Sequence, residues 1–191
     1  EHAVCAGLKE EITVKINGHV GYYCGGMNQK AKITIQGNAG TGLGENMMSG
    51  TIHVKGNVSQ SAGATAHGGT IIVDGDASSR CGISMKGVEI IVKGSVGHMS
   101  AFMAQAGTLL ICGDAGDAIG DSIYETVIYM AGKPKSLGVD CVEKKVTKND
   151  LKKIENLIKI GNIKKLKPHN FKKFGSARKL YNFNIDNVSD Y

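Results

Sequence analysis

Seven glycines stand 19 residues apart with no insertion or deletion between them: Gly18, Gly37, Gly56, Gly75, Gly94, Gly113 and Gly132. A fixed short period is the signature of a repeat architecture, in which each unit buries its apolar face only by packing on its neighbours. A second series falls seven residues later, at Gly25, Gly44, Gly63, Gly82 and Gly120, with Ala101 filling the gap. A third, six residues before the first, holds Gly50, Gly69 and Gly107, while Gly87 is displaced by one. The chain has 27 glycines but only two prolines, which excludes collagen-like and proline-rich disordered chains. So many glycines point to tight corners where a residue without Cβ takes positive φ at little steric cost.

Short alternating segments lead into each corner. Four residues before each key glycine stand Val14, Ile33, Ile52, Ile71, Ile90, Leu109 and Ile128; two residues before it stand Ile16, Ile35, Val54, Val73, Val92, Ile111 and Met130. Period-2 alternation puts both columns on one face, which must be the inside. Val20, Ala39, Val58, Ala77, Val96, Ala115 and Pro134 supply a further inward column of small residues. The residue after each key glycine is His19, Asn38, Asn57, Asp76, Ser95, Asp114 or Lys133, mostly turn formers. These columns predict an all-β chain, a single-stranded β-helix of six to seven coils stacked at roughly 4.8 Å each.

The outward column three residues before each glycine reads Lys15, Thr34, His53, Ile72, Ile91, Leu110 and Tyr129. It turns from polar to apolar along the axis, so the later coils need a cover, either the tail or a partner chain.

The pattern ends after Gly138, which divides the chain into a β-helix domain over residues 1–142 and a basic tail over residues 143–191. Although the net charge is +6, the tail alone carries 13 Lys/Arg against 5 Asp/Glu. Within it, Leu151, Ile154, Leu157 and Ile158 predict an amphipathic helix over 147–160, with Asn149 or Asp150 near its cap and Gly161 after its end. That helix is expected to dock on the β-helix and cap its open C-terminal edge. Residues 162–191 read as an extended arm anchored by Phe171, Phe174, Tyr181, Phe183 and Tyr191.

No apolar run approaches the roughly 20 residues of a membrane-spanning helix, and residues 1–3 show no signal segment. Five scattered cysteines without a CxxC fit a reduced, cytoplasmic setting.

Motifs for chemistry are few. Gly37–Gly44 (GNAGTGLG) invites a phosphate-loop reading, but neither GxGxxG nor GxxxxGK[ST] is present and each glycine belongs to a column. Ser61, Ser84 and Ser100 lie at coil positions, not in a GxSxG elbow. Cys24 and Cys81 share a coil position three repeats apart, roughly 14 Å by stacking, too far for a disulfide. They read as small inward residues. His2, His19, His53, His67, His98 and His169 show no metal-ligand pairing. Polysaccharide binding lacks its aromatic platforms and acidic clusters, and nucleic-acid binding rests on the basic tail alone. No catalytic, cofactor-binding or metal residue is singled out.

The repeats Gly37–Gly50 (GNAGTGLGENMMSG), Gly75–Gly87 (GDASSRCGISMKG), Gly94–Gly107 (GSVGHMSAFMAQAG) and Gly113–Gly120 (GDAGDAIG) resemble the GXGXG domain at the C-terminus of the glutamate synthase large subunit, over roughly residues 8–142. Phe174–Leu180 (FGSARKL) is similar to the segment that follows the helix in that family. The resemblance implies a right-handed β-helix that binds neither flavin nor iron–sulfur cluster and positions a glutamine-hydrolysing domain beside an FMN-containing synthase barrel. It implies a non-catalytic scaffold subunit without cofactor, assembled with separate amidotransferase, FMN synthase and ferredoxin-like chains in glutamate biosynthesis and nitrogen assimilation. A homo-oligomer stays open beside these partners. Two alternatives accompany this reading: the related β-helical chain of formylmethanofuran dehydrogenase, and a nucleic-acid-binding module acting through the tail.

Overall fold

The computed structural model describes residues 1–178. Seven short strands stack in parallel: β1 (Thr13–Ile16), β2 (Lys32–Ile35), β3 (Thr51–Val54), β4 (Thr70–Val73), β5 (Lys86–Val92), β6 (Ala106–Ile111) and β7 (Val127–Met130). Each pairs with the next in the register that the glycines set, Ile33 beside Ile52, Ile52 beside Ile71, Ile71 beside Ile90. The product is a β-solenoid of about six turns. Both inward columns of β2 to β7 are buried. The small-residue column forms a second parallel ladder of single bridges from Val20 to Pro134.

The glycine series do two different jobs. The second and third take the left-handed conformation, as Gly44 does at φ 63°. The 19-residue series from Gly37 to Gly132 does not, contrary to the expectation for corner glycines. Its members are glycine because neighbouring coils touch there. The Gly56 amide donates to the Gly37 carbonyl at 3.1 Å. A Cβ on Gly56 would run into Asn38 Oδ1 and stand 2.9 Å from that same carbonyl. The displaced Gly87 sits where β5 breaks register against β6, between Lys86 and Glu89.

The polar residue after each key glycine is more than a turn former. Asn57 N–H donates to Asn38 Oδ1 at 2.8 Å, Asp76 N–H to Asn57 Oδ1 at 2.8 Å and Ser95 N–H to Asp76 Oδ1 at 2.7 Å. Asp114 and Lys133 continue upward, and His19 starts the series by accepting from Asn38 N–H. Each member below Lys133, which takes part only through its amide, therefore needs a side-chain acceptor at one or two atoms' reach, which Asn, Asp, Ser and His Nδ1 provide.

The tail helix α1 (Lys148–Gly161) is capped by Thr147, with Asp150 completing the capping box. Asn162, not Gly161, takes the left-handed C-cap at φ 51°. The helix does not cap the C-terminal edge. Its apolar stripe lies over the outer sheet face, where Ile154 and Leu157 pack with Ile72, Ile91, Leu110, Tyr129 and Phe171 in a second core. This is the cover that the apolar outward column required. The edge itself is closed by two further strands, β8 (Cys141–Lys144) and β9 (Lys172–Ser176), with β9 running antiparallel between β7 and β8. A 3₁₀ turn (Pro168–Asn170) joins α1 to β9. Phe171 and Phe174 are buried as expected, whereas Tyr181, Phe183 and Tyr191 lie outside the described residues. Residues 142 and 143, on either side of the expected domain boundary, both belong to β8.

Candidate functional surface

Each glycine of Gly37–Gly44 faces protein atoms. A Cβ on Gly40 would meet the Gly21 carbonyl at 2.8 Å, and one on Gly42 the Tyr23 ring at 2.6 Å. One on Gly44 would strike Ile71 Cδ1 at 2.8 Å inside the solenoid. The segment is a coil corner packed on its neighbours.

The cysteines are all free thiols. Cys24 and Cys81 are buried in the core. Burial pushes both thiols up to about 12, helped at Cys24 by the neighbouring Cys5. Neither is poised as a nucleophile, since reactive cysteines have depressed values. Ser61 and Ser84 sit at left-handed corner positions. Ser100 is buried and donates to the Gly97 carbonyl at 2.9 Å. Among the described residues no three His, Cys, Asp or Glu side chains gather to hold a metal ion.

One charged cluster forms where the outward column changes character. Asp74 accepts from Lys93 at 2.7 Å, stands 2.8 Å from His53 Nε2 and lies 3.4 Å from Lys55. Burial pushes its carboxyl up, but hydrogen bonds from Lys93 and His53 overcome this and hold it below the usual range. The four side chains bridge the open polar face of the early coils and the covered face of the later ones. Tail cations are likewise engaged: Lys153 pairs with Glu89, Lys172 with Glu143, Lys173 with Asp150 and Arg178 with Asp140.

The feature that sequence reading missed lies on the corner segments, residues 22–29, 41–48, 60–67, 79–86, 98–105 and 117–124. Tyr22, Tyr23 and Met27 are each just over half exposed. The Tyr22 and Tyr23 rings meet edge-on at 6.5 Å, and His2 lies 4.6 Å from Tyr22. Met48, Met103 and Tyr124 are also exposed on these segments. The available signal was large residues set among the corner glycines, such as Tyr23 and Met27, whose left-handed positions leave their side chains exposed.

A filled, glycine-cornered β-solenoid with a self-docked tail defines a repeat-built structural domain. The GXGXG motif family model matches residues 2–185, so the chain belongs to that family. It is 58% identical over 96 residues to Protein GlxC of Rhizobium meliloti (strain 1021). That match covers 50% of this chain and 42% of the relative, so the chain spans less than half of the curated relative it matches. Among the described residues no helix is long and apolar enough to cross a membrane.

Proposed function

We propose that the chain is a non-catalytic subunit or domain that holds other chains in place within a glutamate-synthase-like amidotransferase and oxidoreductase assembly. The observation that carries this reading is the filled interior. Ile33, Ile52, Ile71, Ile90, Leu109 and Ile128 are each at most 1% exposed, so side chains occupy the space a substrate would need. Family membership supports the assembly it serves. Its partners in this reading are the amidotransferase, FMN synthase and ferredoxin-like chains of a cytoplasmic complex. In this reading the stacked coils form the body, and the described tail through residue 178 is the strap that lies over it.

The test is to purify the chain alone and together with the chains encoded beside it. The expected result is a colourless isolated chain without glutaminase activity that co-elutes stoichiometrically with an amidotransferase and an FMN chain. A bound flavin, or glutamine hydrolysis by the chain alone, overturns the reading.

A further inference from the structure

Among the described residues, the solenoid presents one broad face that the tail does not cover and that carries few charges. The six corner segments in the 19-residue register, eight residues each, carry only Glu45, Arg80, Lys86, Asp117 and Asp121 as charged side chains, about half the 21% share of the whole chain; a further turn over Ala3–Gly7 stacks below the first of them. Of the six methionines on these segments, Met47 and Met85 point into the core, while Met27, Met48 and Met103 are exposed. The exposed large side chains here are Tyr22, Tyr23, Met27, Met48, Met103 and Tyr124. Depletion of charge with enrichment of Tyr and Met marks the centre of a protein–protein interface. A sequence-independent nucleic-acid or anionic membrane surface would instead need cations.

These residues are also unevenly placed along the stack. Large side chains collect at its two ends, Tyr22, Tyr23, Met27 and Met48 on the first two coils, Met103 and Tyr124 on the last two. The middle coils carry small or polar residues, Gln60, Ser61 and Thr65 on one, Ser79 and Ser84 on the next. Because the coils are in strict 19-residue register, a two-fold axis lying in this face and across the stack brings the first coil opposite the sixth and each column opposite itself. Tyr23 then faces Ala118, Met27 faces Ser122, and Asn46 faces Met103, each pairing large with small. Every charge meets a neutral residue: Glu45 meets Phe102, Arg80 meets Ser61, Lys86 meets His67, Asp117 meets Tyr22 and Asp121 meets Gly26. An isologous interface requires this kind of self-complementarity.

Six coils at roughly 4.8 Å make a face about 30 Å long. We infer that the corner face binds a second copy of this chain, antiparallel, as a two-fold dimer.

Sedimentation velocity and light scattering on the full chain, from about 1 to 100 µM, test the inference. The expected species has twice the 20.1 kDa chain mass. Tyr23→Asp and Met103→Asp sit at left-handed positions that Asp tolerates. Each is expected to keep the circular dichroism of the parent and to raise the dimer dissociation constant by about a hundredfold or more. Ile160→Asp, on the exposed side of α1, is expected to leave the dimer intact. A parent chain that stays monomeric throughout this range overturns the inference, as does a dimer that survives both corner variants or is broken by Ile160→Asp. A monomer that still binds amidotransferase and FMN chains would overturn the dimer while leaving the scaffold reading standing.

Discussion

Tyr129 Oη donates a hydrogen bond to Asp150 Oδ1 at 2.6 Å, tying the last coil of the solenoid to the first turn of the tail helix. Asp150 also accepts from Lys173 of β9 at 2.9 Å and from the Thr147 amide at 2.7 Å. One buried carboxylate thus joins coil, helix and closing strand. Burial pushes that carboxyl up, but the bonds from Tyr129, Lys173 and Thr147 outweigh it and hold the group well below the usual carboxylate range. Burial and the same carboxylate keep the Tyr129 phenol protonated far above its ordinary value.

Asp150→Asn is expected to lower stability by about 2–4 kcal/mol at neutral pH, because Lys173 is left without its anion. Tyr129→Phe removes a single bond to a charged group and is expected to cost about 1–3 kcal/mol. The folded-state carboxyl titrates below its unfolded value of 3.8. Its contribution is therefore complete above the unfolded value and is lost as pH falls towards the folded one. The gap in thermal midpoint between parent and Asp150→Asn should stay constant from pH 8 to about 5 and narrow below 4. A gap that widens on acidification would contradict this.

Gly56→Ala drives a methyl into Asn38 Oδ1 and is expected to destabilise by about 1–3 kcal/mol, the usual range for an overpacked site. Gly7 has φ 69° and nothing within 4 Å of an added Cβ, so Gly7→Ala carries only the left-handed strain of about 1–2 kcal/mol. Asn38→Gly with Gly56→Ala should be less damaging than the sum of the two single changes. Chemical denaturation of the parent, the two single variants and the double variant measures the coupling. Strict additivity would show that the two positions do not clash.

Ile91 is fully buried between sheet and helix, whereas its column-mate Thr34 lies on the uncovered coils. Ile91→Asn is expected to loosen the tail before the solenoid, at a cost of about 3 kcal/mol for burying an amide in place of an alkyl chain. Limited proteolysis should then cut within residues 145–170 while residues 13–130 resist. Thr34→Asn should leave the digestion pattern unchanged.

Thiol alkylation at pH 8, followed by mass spectrometry, should label Cys5 first, since it is only half-buried. Cys112 and Cys141, both pushed up to about 11 chiefly by burial, should follow slowly, and Cys81 last. Rapid labelling of Cys81 in the folded protein would mean that the interior opens.

The repeat made the solenoid legible, because the same column condition is imposed at every turn: Ile33, Ile52, Ile71 and Ile90 must all be apolar for any of them to be buried. The apolar drift from His53 to Tyr129 announced a cover as well. The covering element was legible only in part. Helix α1 is written in the spacing of Ile154 and Leu157, but β9 consists of Lys-Lys-Phe-Gly-Ser, whose pairing comes from the open edge of β7 rather than from its own residues. The two duties of glycine were indistinguishable in sequence, since close approach and positive φ select the same residue. The exposed face was hidden for a related reason. Tyr23 and Met27 sit among glycines that read as turns, and only the stacked coils bring them into one surface.

The side-chain ladder from His19 to Lys133 makes the molecule a ruler with fixed graduations. Each acceptor serves the amide one repeat above it, so an inserted or deleted residue within a strand would disconnect every acceptor from its donor across that boundary. Lengthening or shortening is tolerated only in whole repeats, each adding or removing about 4.8 Å of reach. The spacing between whatever the two ends hold can therefore change in steps but not continuously.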